Sequence, residues 1–322
     1  MYKRFIKLLS LFLCIALLVQ MVPAGALAAE LSASDSVSAD TSVEDAYVLE
    51  ELVEERTEYG KVFRLSNGLH MAAVYNEAVH YADGGQWKDI DNTLISDNGR
   101  YKNTAGVWEV SFPQNMTGSA PVTIEKDGYT LSFALAGQLR GGNGAVVASA
   151  ELGAEEFQLE DTRASQGQIQ TMDLTKEKAE AQHPETVRDK LHARLRYSNV
   201  YANTNVIYDL ASNRVKESIV IGGFDAQLRG YRYTLNTGDM VPVLTDSGEI
   251  LLYDRKGQTV IMTMPAPYLV DDAGVYNYAV QVSLTGANGS YTLTYTLPQA
   301  WLAEEERTYP VILDPVIAAG GS

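Results

Sequence analysis

The stretch YSNVYANTNVIYDLASNRVKESIVI, Tyr197–Ile221, carries four Asn, one Asp and three Tyr in its length and raises a choice between a polar site and a strand. Val206, Tyr208 and Leu210 alternate with Ile207 and Asp209, the period-two pattern of a strand with one apolar face. Ala211-Ser212-Asn213 then reads as a turn before a second strand, Val215–Ile221. Asn199, Asn203 and Asn205 stand at the entry, where Asn tolerates turn geometry and caps backbone groups. The stretch therefore predicts strand, turn, strand, and no chemistry is assigned to it.

The same period recurs on both sides. Trp108, Val110 and Phe112 alternate with Glu109 and Ser111, and Tyr129, Leu131, Phe133 and Leu135 alternate with Thr130, Ser132 and Ala134. Later, Tyr276, Tyr278, Val280, Val282 and Leu284 share one face and Tyr291, Leu293, Tyr295 and Leu297 another, with TGANGS between them as a hairpin loop. Turn signals punctuate the rest at Asn67-Gly68, Asp127-Gly128, Asp246–Glu249, Asp254–Gly257 and Asp271–Gly274. The expected class is mainly β: two antiparallel β-sandwich-like domains, or one extended β-rich array. Ala46, Leu49, Leu52, Val53 and Arg56, closed by Gly60, fall at helical spacing and predict one short leading helix.

The chain opens with a basic Lys3, Arg4, Lys7 group, an apolar run from Leu8 to Val22 and an Ala26-Leu27-Ala28 site, the pattern of a signal peptide over 1–28. Cys14, the one cysteine of the chain, lies inside that run, so the mature chain would have neither disulfides nor thiolate metal ligands. Without Lys3, Arg4 and Lys7, 22 basic residues face 41 acidic ones, about −19 in net charge. That balance argues against a nucleic-acid partner and fits a secreted, extracellular or wall-associated surface, with no membrane contact after cleavage. Residues 29–45, rich in Ser, Ala and Asp, read as a disordered tether. Asp173–Ala193 is charged and interrupted by Pro184, and reads as a helical or irregular connector. The expected organisation is a first β-rich domain over 46–172, this connector over 173–193, a second β-rich domain over 194–318 and a tail over 319–322.

Candidate chemistry is sparse. His70, His80, His183 and His192 show no metal-ligand spacing with one another, and no nucleophile-elbow, zinc-protease or phosphate-loop motif is present. No catalytic residue, cofactor or metal is expected. The best acidic candidate is QWKDIDNTL, Gln86–Leu94, where Trp87, Asp89 and Asp91 fall on one side of a strand and could grip a sugar or Ca²⁺. Against this, Thr93 and Leu94 depart from the Ca²⁺-loop pattern, and Asp side chains at a strand end commonly cap a turn. The 19 tyrosines invite a carbohydrate-binding reading, yet Tyr129, Tyr276, Tyr278, Tyr291 and Tyr295 run in phase with Leu, Val and Phe and are expected in the core; Tyr197, Tyr201 and Tyr208 are less settled.

Four segments in order, YGKVFRLSNGLHMAAVYNEAVHYADGGQWKDIDNTL, the opening stretch, MPAPYLVDDAGVY and WLAEEERTYPVILDPV, resemble the N-terminal, non-repeat region of secreted wall-associated proteins of the Rhs (YD-repeat) type from Gram-positive bacteria. The resemblance covers roughly Tyr59 to Val316. It implies a region that follows a signal peptide and precedes further β modules, often of the DNRLRE type, and a repeat shell. The expected function is a non-enzymatic module for display or assembly, with downstream modules of the same polypeptide or cell-wall polymers as partners. The alternatives are an adhesin-like binder of carbohydrate or wall polymer, and a secreted hydrolase using Asp89 or Asp91.

Overall fold

The computed structural model describes residues 46–141, 145–147, 152–157 and 190–319. The expected signal peptide, the tether and most of the connector lie outside the described residues. Two large antiparallel sheets dominate. In one, the strands run in the order Gln281–Ala287, Ser290–Thr296, Leu228–Asn236, Tyr129–Arg140, Val122–Lys126, Glu109–Pro113, Arg100–Ala105 and Asp91–Asp97, with Ala145–Val147 beside Tyr129–Arg140. The other is built on Ala193–Tyr201, Thr204–Ala211 and Arg214–Ile221; it continues to Leu152–Phe157 on one side and through Val316–Ala319 to Val260–Met264 on the other.

Facing side chains of the two sheets form one core, which makes a sandwich. Val110, Phe112, Leu131, Phe133, Tyr233 and Leu293 come from the first sheet, and Tyr197, Val206, Tyr208, Val215, Ile219 and Leu313 from the second. The Tyr208 ring lies 5.3 Å from Phe112 and 6.3 Å from Phe133, and the Tyr197 hydroxyl donates to the Pro113 carbonyl across the core. Each of these tyrosines thus buries an aromatic body while its hydroxyl keeps a partner.

The opening stretch folds as its pattern dictates. Thr204–Ala211 pairs with Arg214–Ile221 in unbroken register, from Thr204 opposite Ile221 to Ala211 opposite Arg214. Val206, Tyr208 and Leu210 are buried and Ile207 and Asp209 only partly so. Asn199 and Asn203 take positive φ, 56° and 54°, the left-handed conformation Asn reaches most easily after Gly.

Two expectations, the leading helix and the core placement of two tyrosines, are corrected. The leading helix is absent: Val48–Glu51 is a strand paired with Gly60–Leu65, followed by a single 3₁₀ turn, Val53–Glu55. Ala46 and Val48 are buried while Leu49 and Val53 are exposed, so pairing with a neighbouring strand overrides the helical spacing. Strand pairing joins residues on either side of the expected boundary at 173–193, Tyr129–Arg140 with Leu228–Asn236, and side chains from both fill one cluster. Tyr276 and Tyr278 are not core residues; they are 54% and 74% exposed, since the strand Tyr276–Asn277 pairs only with Tyr268–Val270, off the main path of the sheet, and Tyr278 lies beyond its end.

Two small sheets accompany the sandwich. One joins Val48–Glu51, Gly60–Leu65 and His70–Val74 over Ala46, Val48, Phe63 and Leu65. The other is the hairpin His80–Asp83/Gln86–Asp89, beside which Ala78, Val79, Ile90 and Leu191 form a separate cluster. Among the described residues no helix is long and apolar enough to cross a membrane.

Candidate functional site

Asp89, the centre of the candidate acidic motif, stands at the end of the Gln86–Asp89 strand directly opposite His80. Antiparallel pairing places the two side chains together, and the neighbouring three-stranded sheet supplies the rest. Asp89 Oδ2 accepts from Arg56 Nη2 at 3.0 Å, and Oδ1 accepts from Lys61 Nζ. Glu51 binds the same two cations, taking Arg56 Nε at 2.6 Å and Lys61 Nζ at 3.3 Å. His80, fully buried, donates from Nδ1 to the Thr57 carbonyl at 2.6 Å, and its Nε2 sits 3.4 Å from Asp89 Oδ1.

The chemistry of this cluster follows from its own pairing. Contact with His80 lowers the Asp89 carboxyl; partial burial opposes this, and Lys61 and Arg56 add to the lowering, so the group sits well below the usual carboxylate range. A carboxylate held ionised, with both oxygens engaged, donates no proton. Both cations are likewise committed to protein acceptors. The arrangement is a charge-assisted clasp holding the 80–89 hairpin against the three-stranded sheet.

The side chains of the other two residues of the motif take no part in this clasp. Trp87 is 36% exposed, and its carbonyl accepts from Arg56 Nη1 at 3.2 Å. Asp91 begins the next strand, beyond Ile90; its Oδ1 accepts the Thr93 amide at 3.0 Å and Lys190 Nζ lies 3.4 Å from Oδ2. It braces the strand at its register shift. Among the described residues no group of three His, Cys, Asp or Glu side chains is placed to hold a metal ion.

A second group of ionisable side chains lies in the sandwich core and was not anticipated. Glu217 is 4% exposed and points inward with Val215 and Ile219. Tyr208, its partner in register, donates to Oε1, and Tyr233 of the opposite sheet donates to Oε2 at 2.6 Å. Burial pushes the carboxyl up to about 7, against the pull of the two hydroxyl donors, while the tyrosines are held well above their ordinary range. Glu217 and Tyr233 border a small cavity with Phe133, Met264, Leu293 and Tyr295. The legible signal was a carboxylate in phase with Val215, Ile219 and Ile221.

No family model matches the chain. It is similar to curated bacterial proteins whose names concern the wall and tRNA cleavage. The tRNA nuclease WapA of Bacillus subtilis is 23% identical over 98% of this chain, and the tRNA(Glu)-specific nuclease WapA of Bacillus subtilis subsp. natto is likewise 23% identical over 98%. The chain spans about 13% of the length of each. A wall-associated protein of Geobacillus stearothermophilus is 20% identical over 69% of this chain and 74% of its own length. These likenesses correct the expectation of a non-enzymatic protein, because the relatives that cover nearly the whole chain are named nucleases.

Proposed function

We propose that this chain is a secreted, wall-associated β module of a longer Rhs-like polypeptide, serving its display or assembly at the cell surface, and that the complete polypeptide carries a nuclease activity. The observation that carries this reading is the alignment of 98% of the chain with 13% of each of two much longer nucleases. Likeness to a wall-associated protein over 74% of that protein's length points the same way. The leader pattern over 1–28 and the four ordered segments between Tyr59 and Val316 that resemble the non-repeat region of Rhs-type wall proteins add support. A sandwich with a single large core suits the role of one module among several.

The test has two arms. Cell fractionation with an antibody against residues 46–319 should place the epitope in the wall fraction; recovery in the cytoplasm overturns the location. Incubating total tRNA with the chain and with any longer polypeptide that contains it tests the activity, and intact tRNA in both reactions removes the nuclease part.

A further inference from the structure

The exposed tyrosines form an organised surface. Tyr276 and Tyr278 lie near-parallel, 10° between ring planes and 6.1 Å between centroids. Tyr268 adjoins both, at 5.5 Å and 6.0 Å, tilted by 43° and 47°. Three aromatic rings in contact at a surface, two of them more than half exposed, are costly to leave in water.

The surrounding chain fixes them. Tyr268 pairs in register with Asp314 and donates its hydroxyl to that residue's buried carboxylate, on which Lys216 Nζ also rests at 2.8 Å. The turn leading to Tyr276 is clamped through Asp271, whose Oδ1 accepts the Val275 amide at 2.8 Å and whose Oδ2 accepts Arg307 Nη1 at 2.6 Å. Asn277 Oδ1 accepts the Ala279 amide at 2.8 Å and brackets Tyr278. Rings positioned in advance lose little freedom on binding.

We propose that Tyr268, Tyr276 and Tyr278 form a binding platform for the pyranose rings of a neutral wall glycan. A pyranose presents an apolar C–H face that lies on an aromatic ring, and equatorial hydroxyls that meet polar groups at the rim. Here the Tyr276 and Tyr278 hydroxyls and the one-third-exposed Lys216 ammonium supply those groups, while the Tyr268 hydroxyl stays on Asp314. A second copy of this chain is disfavoured by a net charge of −16, which repels like copies. A large apolar protein partner is disfavoured by the chemistry of the patch, which is phenolic and small, with Val275 as its adjoining aliphatic side chain in sequence.

The inference adds a ligand to the display reading and is tested on the purified full chain. Sedimentation with peptidoglycan sacculi stripped of teichoic acid, and fluorescence titration with chitohexaose and with cellohexaose, give the wild-type affinity and separate N-acetylated from plain hexose sources. Tyr276→Ala/Tyr278→Ala should weaken binding at least about tenfold, while Tyr276→Phe/Tyr278→Phe stays within about threefold, because stacking survives loss of the hydroxyl. Thermal unfolding of both variants should match the wild type, since the side chains are exposed. Equal binding by the alanine variant overturns the proposal, as does absence of wild-type binding to all three probes. Self-association abolished by the alanine substitutions would assign the patch to a second copy and overturn it too. A chain found in the wall fraction that binds none of the probes defeats the glycan site and leaves the display reading standing.

Discussion

Tyr233 donates its hydroxyl at 2.6 Å to the Glu217 carboxylate of the opposite sheet, joining the two layers of the sandwich through a buried ionisable group. The folded carboxyl titrates near 7 against an ordinary 4.5, so the native state holds the proton more tightly than the unfolded chain. The stabilisation is therefore fully present below about 4.5 and is lost as pH rises through about 7. Glu217→Gln should remove this dependence: the stability difference between wild type and variant should shift by on the order of 3 kcal/mol between those limits in urea titrations. Parallel pH profiles would show that Glu217 is not the titrating group.

Asp89 and Asp91, two positions apart in sequence, should respond differently to the same change. Asp89→Asn weakens a clasp that leaves Lys61 and Arg56 with Glu51 alone, and because the Asp89 side chain is 49% exposed the cost is discounted to about 1–2 kcal/mol. Asp91→Asn keeps an oxygen that accepts the Thr93 amide at the strand's register shift and should cost under about 0.5 kcal/mol. Hydrogen exchange across the 80–89 hairpin checks the contrast, with faster exchange expected in the first variant alone.

Arg307 is buried over the Trp301 ring, its Cζ 3.5 Å from the ring centroid, and pairs with the equally buried Asp271. Removing the cation leaves Asp271 without its charge partner. Arg307→Ala should lower the melting temperature, and Arg307→Lys should rescue only part, because an ammonium reproduces neither the planar stacking nor the forked donors. Thermal denaturation of the two variants measures this; a fully stable lysine variant would deny the role of guanidinium geometry.

At Gly230 the chain crosses between Tyr129–Arg140 and Ser290–Thr296, and a Cβ there would stand 1.9 Å from the Tyr295 carbonyl oxygen. Backbone cannot yield as a flexible side chain does. Gly230→Ala should prevent accumulation of folded protein, whereas Gly257→Ala, in an open turn at φ +68°, should cost only about 1 kcal/mol. Comparable soluble yields of the two variants would contradict the close approach.

Period-two alternation is a strong signal where one strand face is buried and the other is wet, which is why Thr204–Ala211 and Arg214–Ile221 were legible together with the Asn-braced entry. The segment after Ala46 misled because its apolar residues satisfy two periods at once, and the partner strand that decides between them is distant in side-chain chemistry if near in sequence. Tyr276 and Tyr278 share the alternation of core strands, but Tyr276–Asn277 pairs only with the short strand Tyr268–Val270, and both tyrosines stay exposed. In the candidate motif, Asp89 was visible as a carboxylate, but its meaning depends on Glu51 and Lys61 of a separate sheet and on Arg56 after the 3₁₀ turn. Periodicity shows faces; it does not show which faces meet.

The most direct test of the wall-associated reading is quantitative fractionation of the native host with an antibody to the sandwich. The epitope should be released from the wall fraction by glycan-digesting enzyme, in a polypeptide well above 35.2 kDa. An epitope confined to the cytoplasm, in a polypeptide no larger than this chain, would contradict the account.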